Sequence, residues 1–168
     1  MPSCAECGYE YESLDRLQIG HDIGSLAAEH RLVLTSVPAR RLRGHPRPDS
    51  WSALEYGCHV RDVLRFQRDR VILAQTAQTP RFSSMRRDER AVEERYNEQD
   101  PARVAGELAT AAGRFTATLA ALDDAGWLRA GLYPWPTPQV RTVEWIGRRT
   151  AHELAHHLFD ERRLLNSA

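Results

Sequence analysis

WSALEYGCHVRDVLRF, residues 51–66, reads as a helix whose polar positions need a reason. At about 100° per residue, Glu55, His59, Asp62, Phe66 and Leu73 fall within about 60° of one another. Glu, His and Asp among Phe and Leu make an odd core stripe, because buried polar groups are costly unless paired or ligating. The face is therefore either solvated or organised around His59. Cys58 turns toward a different side and reads as a small buried residue rather than a nucleophile. Asp49 or Ser50 offers an N-cap, and the helix should run to about Gln75.

Working outward, residues from about Ser13 to Val37 are helical in pattern, with Leu14, Leu17, Ile23, Leu26, Leu32 and Leu34 at three- and four-residue steps. Pro38 stops that helix, and RLRGHPRPDS (41–50) is a Pro- and Gly-rich loop. Residues 76–99 are polar and read as a long connection with a helical turn. Asp100-Pro101 is a strong helix start, with Asp as N-cap and Pro at the first helical position. That third helix extends to about Leu122. GLYPWPTPQ (131–139) holds three prolines and cannot be helical. A fourth helix begins around Thr142 and ends near Leu165. No segment alternates as a half-buried strand does. The expected fold is all-α, a four-helix bundle with at least one long crossover connection.

The fourth helix contains AHELAHHLFD (151–160), and His152-Glu153-Leu154-Ala155-His156 matches the H-E-x-x-H of zinc peptidases. Two imidazoles four residues apart share a helix face and can bind one zinc, nickel or iron ion. The peptidase reading needs a third ligand. The positions that an extended motif fills with Gly and His hold Phe159 and Arg162, and the chain ends soon afterwards. The third ligand is expected from upstream instead, where His21, His30, His45, His59, acids and cysteines are the candidates. His157 points about 100° away from His156 and is expected to pack or face solvent. Arg148 and Arg149 could meet a cofactor carboxylate, but an ordinary salt bridge is the favoured reading.

Composition narrows the classes. Hydrophobic residues make up 42% and charged residues 27% of 168, which suits one globular domain with a real core. All 23 basic residues are arginine, and the formal net charge is zero. The arginines are scattered among acids, so no basic stripe marks a nucleic-acid partner. No apolar run approaches the roughly 18 residues of a membrane span, and no signal-peptide layout is present. Membrane association is not expected, and a cytoplasmic location is. Two of the three cysteines form Cys4-Ala-Glu-Cys7-Gly in a head covering residues 1–12, ahead of a domain at 13–168. Cys4 and Cys7 have the form of a zinc knuckle, in which glycine permits the tight turn. His21, His30, His45 or a partner subunit could complete such a site. Free or paired thiols are the competing reading, with redox catalysis behind both.

The WSALEYGCHVRDVL stretch with its ligand-type His59, and the late His152-x-x-x-His156-His157, together resemble the DinB superfamily. Trp51 ahead of the helix and RYNEQDPARV at 95–104 strengthen the resemblance, which covers roughly residues 15–165. It implies a four-helix bundle and a divalent metal on three side chains, often three histidines. On this sequence these would be His59, His152 and His156. Glu55 and Asp62 would accept from imidazole N–H groups, and Glu153 would be a neighbour able to orient water. Several relatives are thiol-dependent transferases or isomerases, mycothiol-dependent maleylpyruvate isomerase among them. They use mycothiol, bacillithiol or glutathione, and the all-arginine, high-GC-like composition points to mycothiol. The resemblance thus implies zinc or another divalent metal, a thiol cosubstrate, a small-molecule electrophile and a homodimer. A non-catalytic metal-binding bundle is the alternative, and a minimal peptidase comes third.

Overall fold

The computed structural model describes residues 4–45 and 50–166. Four long helices carry the architecture: α1 (Arg16–Ser36), α3 (Ala53–Thr76), α5 (Pro101–Ala120) and α7 (Val143–Asn166). Shorter elements join them: α2 (Ala39–Leu42), α4 (Arg87–Glu93), a 3-10 turn (Tyr96–Glu98) and α6 (Asp124–Leu128). Between α6 and α7 lies a hairpin of β1 (Ala130–Tyr133) and β2 (Gln139–Thr142). Among the described residues, no helix is long and apolar enough to cross a membrane.

Capping explains where the helices begin. Asp100 accepts from the backbone of Arg103 ahead of Pro101, as its sequence predicts. Asp15 and Gln18 form a reciprocal capping box on α1. For α3 the cap is Ser52, later than expected. Its hydroxyl accepts from the backbone of Glu55, whose carboxylate accepts from the Ser52 N–H at 2.7 Å. Asp49, the other proposed cap, lies outside the described residues, as does part of the 41–50 loop.

The bundle has a crossed connectivity. α1 packs on α5 and α7, and α3 packs on the same two helices. The order around the core is therefore α1, α5, α3, α7, so α1 faces α3 diagonally and α5 faces α7. Both diagonal connections must cross an end of the bundle. The core stripe of α1 is Ile19, Ile23, Ala27, His30 and Leu34. Leu17 and Leu32, expected in that stripe, are 87% and 64% exposed. His30 takes an interior place because both ring nitrogens have partners on α7. Nδ1 lies 3.0 Å from Glu161 Oε1, and Nε2 donates to the Leu154 carbonyl at 2.9 Å.

The hairpin corrects the expectation of a strand-free chain. β1 and β2 pair antiparallel with Ala130 opposite Thr142 and Tyr133 opposite Gln139. Four residues per strand are too few for an alternation to stand out. Phe82 completes the layer: its N–H donates to the Leu132 carbonyl at 3.0 Å. Its ring lies directly over Gly131, where an added Cβ would come within 2.3 Å of Phe82 Cζ. Gly131→Ala should therefore displace a buried aromatic ring and cost about 1–3 kcal/mol, measurable as a lowered urea midpoint.

Candidate metal centre

Helix α7 carries two i,i+4 pairs offset by a single residue: His152 with His156, and Glu153 with His157. One residue of offset is about 100° of rotation, so the pairs serve different faces. The core stripe of α7 runs Val143, Ile146, Thr150, Leu154, His157, Glu161, all buried. Glu153 flanks that stripe beside His157, toward α3. His152 and His156 point roughly 120–160° away from it, toward the N-terminal head.

The three histidines expected to share one ion line one cavity, but their ligand atoms fall in two close groups. His59, Glu153 and His157 bring one ligand atom each within 4.8 Å of one another. Cys4, Cys7, His152 and His156 do the same in a second group. The His59 and His157 rings lie 4.9 Å apart in an edge-on arrangement, and Trp51 packs edge-on against His59 at 5.0 Å. His157, expected to pack or face solvent, instead belongs to the buried group. Glu153, expected as a neighbour, contributes a carboxylate oxygen to it. The sequence alone did not choose between the pairs, because steps of three and four from Val143 can reach either His156 or His157.

Electrostatics prepare this group for a cation. Burial, followed by the charge of His157, pulls the His59 pKa down to about 3, so His59 is a neutral imidazole. Burial also pulls on His157, but Asp160 and Glu153 outweigh it and raise that ring to about 9. Glu153 is pushed up by burial and held well below the ordinary carboxylate range by His157 and then Arg149. Its carboxylate lies 3.3 Å from His157 Nε2 and is ion-paired with Arg149. Carboxylates that favour a proton on His157 also favour a metal ion in its place. His59 Nδ1 is buried with no hydrogen-bond partner, whereas the two His157 nitrogens have only ion-pair contacts, Nε2 with Glu153 at 3.3 Å and Nδ1 with Asp160 at 3.5 Å. A buried nitrogen such as His59 Nδ1 is costly without a partner.

The group opens into a cavity of about 550 Å³. Its walls include Phe66, Tyr133 and Trp135, with Arg86, Arg87 and Arg149 contributing guanidiniums. Another concavity, of about 660 Å³, is lined by Arg65, Arg68, Arg103, Arg114 and Glu107. It contains no histidine or cysteine, and Glu107 there is ion-paired with Arg65 and Arg103.

The remaining candidates have other duties. Glu55 caps α3 and accepts from His45 Nε2 at 2.7 Å, so it does not orient His59. Asp62 does not either. Its fully buried carboxylate accepts from Arg61 (2.9 Å), Arg65 (3.2 Å), Arg90 (2.8 Å) and the Tyr96 hydroxyl (2.7 Å). Cys58 is buried, and desolvation pushes its thiol up to about 12, which fits a packing residue. Arg148 is the surface pair anticipated, 2.8 Å from Glu144. His21, His30 and His45 face Asp22, Glu161 and Glu55, and none joins the cysteine head.

In that head, Cys4 Sγ lies 3.6 Å from His156 Nδ1. The backbone N–H of Cys7 is the largest influence lowering the Cys4 thiol to about 7, while burial raises Cys7. Tyr11 stacks on the His152 ring at 4.4 Å and 17°. Burial and then Arg149 lower His152 to about 4.

Comparison with known proteins agrees with this architecture. No curated protein matches the sequence. Two solved structures superpose closely. The first is YfiT from Bacillus subtilis, described as "a probable metal-dependent hydrolase with an unusual four-helix bundle topology". It has a TM-score of 0.78 and 20% identity, over 92% of this chain and 91% of YfiT. The second is a mycothiol-dependent maleylpyruvate isomerase, with a TM-score of 0.73 and 13% identity. There the match covers 89% of this chain and 62% of the isomerase. At such identities the likeness is one of fold. The sequence itself matches the family model over residues 27–159, which span α3, the hairpin and the ligand-bearing turns of α7. By fold and by sequence, the chain belongs to the DinB superfamily.

Proposed function

We propose that the protein is a divalent-metal-dependent thiol S-transferase or isomerase, with the ion held by His59, Glu153 and His157. The observation that carries this reading is the buried His59 Nδ1, which has no partner, gathered with His157 and the ionised Glu153 carboxylate within 4.8 Å. Two imidazoles and a carboxylate form a donor set suited to zinc, with nickel or iron as the next choices. Three protein ligands leave a coordination position open, as catalytic sites require. A divalent ion there lowers the pKa of a coordinated thiol, so that the thiolate is available near neutral pH.

The chain's own side chains supply the rest. Arg149 fixes the Glu153 carboxylate, and Asp160 lies 3.5 Å from His157 Nδ1. Phe66, Tyr133 and Trp135 offer apolar surface to a small electrophile. Arg86 and Arg87, at the same cavity, suit the carboxylate of a thiol cosubstrate. Mycothiol is the thiol favoured by the all-arginine composition. The minimal peptidase reading is disfavoured, since Glu153 is ion-paired with His157 and Arg149.

The test incubates zinc-loaded protein with a panel of electrophiles and mycothiol, bacillithiol or glutathione, and seeks thioether or isomerised products by mass spectrometry. Product with mycothiol, absent in His59→Ala, is the expected result. Metal-loaded protein inert with all three thiols would leave a non-catalytic metal-binding bundle as the function.

A further inference from the structure

We propose that Cys4, Cys7, His152 and His156 form a second metal site, a closed tetrahedral zinc centre that clamps the N-terminal head onto α7. The four side chains come from opposite ends of the chain, yet one ligand atom of each lies within 4.8 Å of every other. The Cys4 Sγ to His156 Nδ1 separation is 3.6 Å. Zinc arms of about 2.3 Å to sulfur and 2.0–2.1 Å to nitrogen, at a tetrahedral angle, place two ligands about 3.5–3.6 Å apart. A lone S–H···N contact would account for that pair alone. It would not gather Cys7 and His152 as well.

The head is built as a knuckle. The Gly8 N–H donates to the Cys4 carbonyl at 2.8 Å, and the Cys4 N–H donates to the Tyr9 carbonyl at 3.1 Å. Gly8 sits at φ +72°, the left-handed conformation that glycine adopts without strain. Backbone N–H groups of Cys7 and Glu6 point at the Cys4 sulfur and favour its thiolate. His152 Nε2 is buried without a partner, while Nδ1 receives Arg149 Nη1 at 3.1 Å. Nε2 is thus the nitrogen free for an ion. His156 Nε2 faces Glu6 at 3.4 Å and Asp160 at 3.7 Å, carboxylates able to accept its N–H and orient the ring.

Two thiolates and two neutral imidazoles balance the charge of a zinc ion and fill its coordination shell, so this centre is structural. It also meets a physical need. The head buries little beyond Tyr9 and Tyr11, too little for so short a segment to hold itself in place. Metal binding would supply the missing free energy. The two proposed ions differ accordingly. One has an open position and the other is saturated, and His152 and His156 line the same cavity as His59, Glu153 and His157. Asp160 stands between them, facing His156 and His157.

The experiment uses the full chain reconstituted with zinc or cobalt. Cys4→Ser with Cys7→Ser should halve the bound zinc per chain and abolish the thiolate-to-cobalt charge-transfer band. His157→Ala should keep that band and lose the other ion. In the unmutated protein, alkylation of Cys4 and Cys7 should be slow with zinc and accelerate at least about tenfold after chelation. Unchanged zinc content in the double variant, or equal alkylation rates with and without chelator, would overturn the site. Failure of the bundle site would appear separately, as an unaltered metal content in His157→Ala.

Discussion

Asp62→Ala should destabilise the protein by about 3–5 kcal/mol at neutral pH, because it strands buried cations around an emptied site. Asp62 is the common acceptor for α3, α4 and the 3-10 turn: Arg61, Arg65, Arg90 and Tyr96 all converge on it. Arg61 is nearly as buried as Asp62 itself, and its remaining partners are Gln99 and Glu107. Burial pushes the Asp62 carboxyl upward, but Arg61, Arg90 and Tyr96 prevail and leave it below the ordinary range. A carboxyl depressed on folding stabilises above its unfolded pKa of about 3.9, and that contribution is lost as pH falls through the lower folded value. The gap between wild type and Asp62→Ala should therefore be widest at pH 7 and narrow progressively below about pH 4. Urea denaturation at several pH values measures both effects. A variant within about 0.5 kcal/mol of wild type at pH 7 would remove Asp62 from its central role.

His157→Ala should strip the ion from the bundle, whereas His152→Ala should leave it bound. Losing one of three protein ligands should weaken binding by more than the roughly 10–100-fold that loss of an outer partner produces. Competition with a chromophoric chelator, in a background with Cys4 and Cys7 both changed to Ser, reports on this site alone. His59→Ala should match His157→Ala. Glu153→Gln should fall between, since the amide oxygen can ligate but brings no charge. If His152→Ala and His156→Ala abolished binding while His157→Ala did not, the ion would belong to the three-histidine set that the family resemblance implies.

The four long helices were legible because caps, prolines and apolar steps agree with one another. Asp100-Pro101 and the break at Pro38 are local signals that need no tertiary context. His59 was legible as part of a polar anomaly, with Glu55 and Asp62, on a face that also carries Phe66 and Leu73. Which of the α7 pairs meets it was harder to read, because H-x-x-x-H and E-x-x-x-H satisfy the same spacing one residue apart. Only the placement of α7 against α3 separates them, and motif reading favoured the familiar histidine pair over the buried stripe. Glu55 and Asp62 misled for a related reason. Both share the His59 face, but a cap and four nearby donors claim their carboxylates first. The Cys4 and Cys7 partners were hidden by distance: they lie about 150 positions away, and no local pattern reports such a contact.

The single-residue offset on α7 makes the helix an ambidextrous part. A slip of one position along its own axis, a turn of about 100°, would present His152 and His156 to His59 and withdraw Glu153 and His157. Six consecutive residues thus spell two different inner spheres, one anionic and one neutral, and side-chain identity alone does not choose between them. The choice falls to whatever engages the outer pair. On this reading the N-terminal knuckle is a register pin: by holding His152 and His156, it obliges the carboxylate-bearing pair to face the interior.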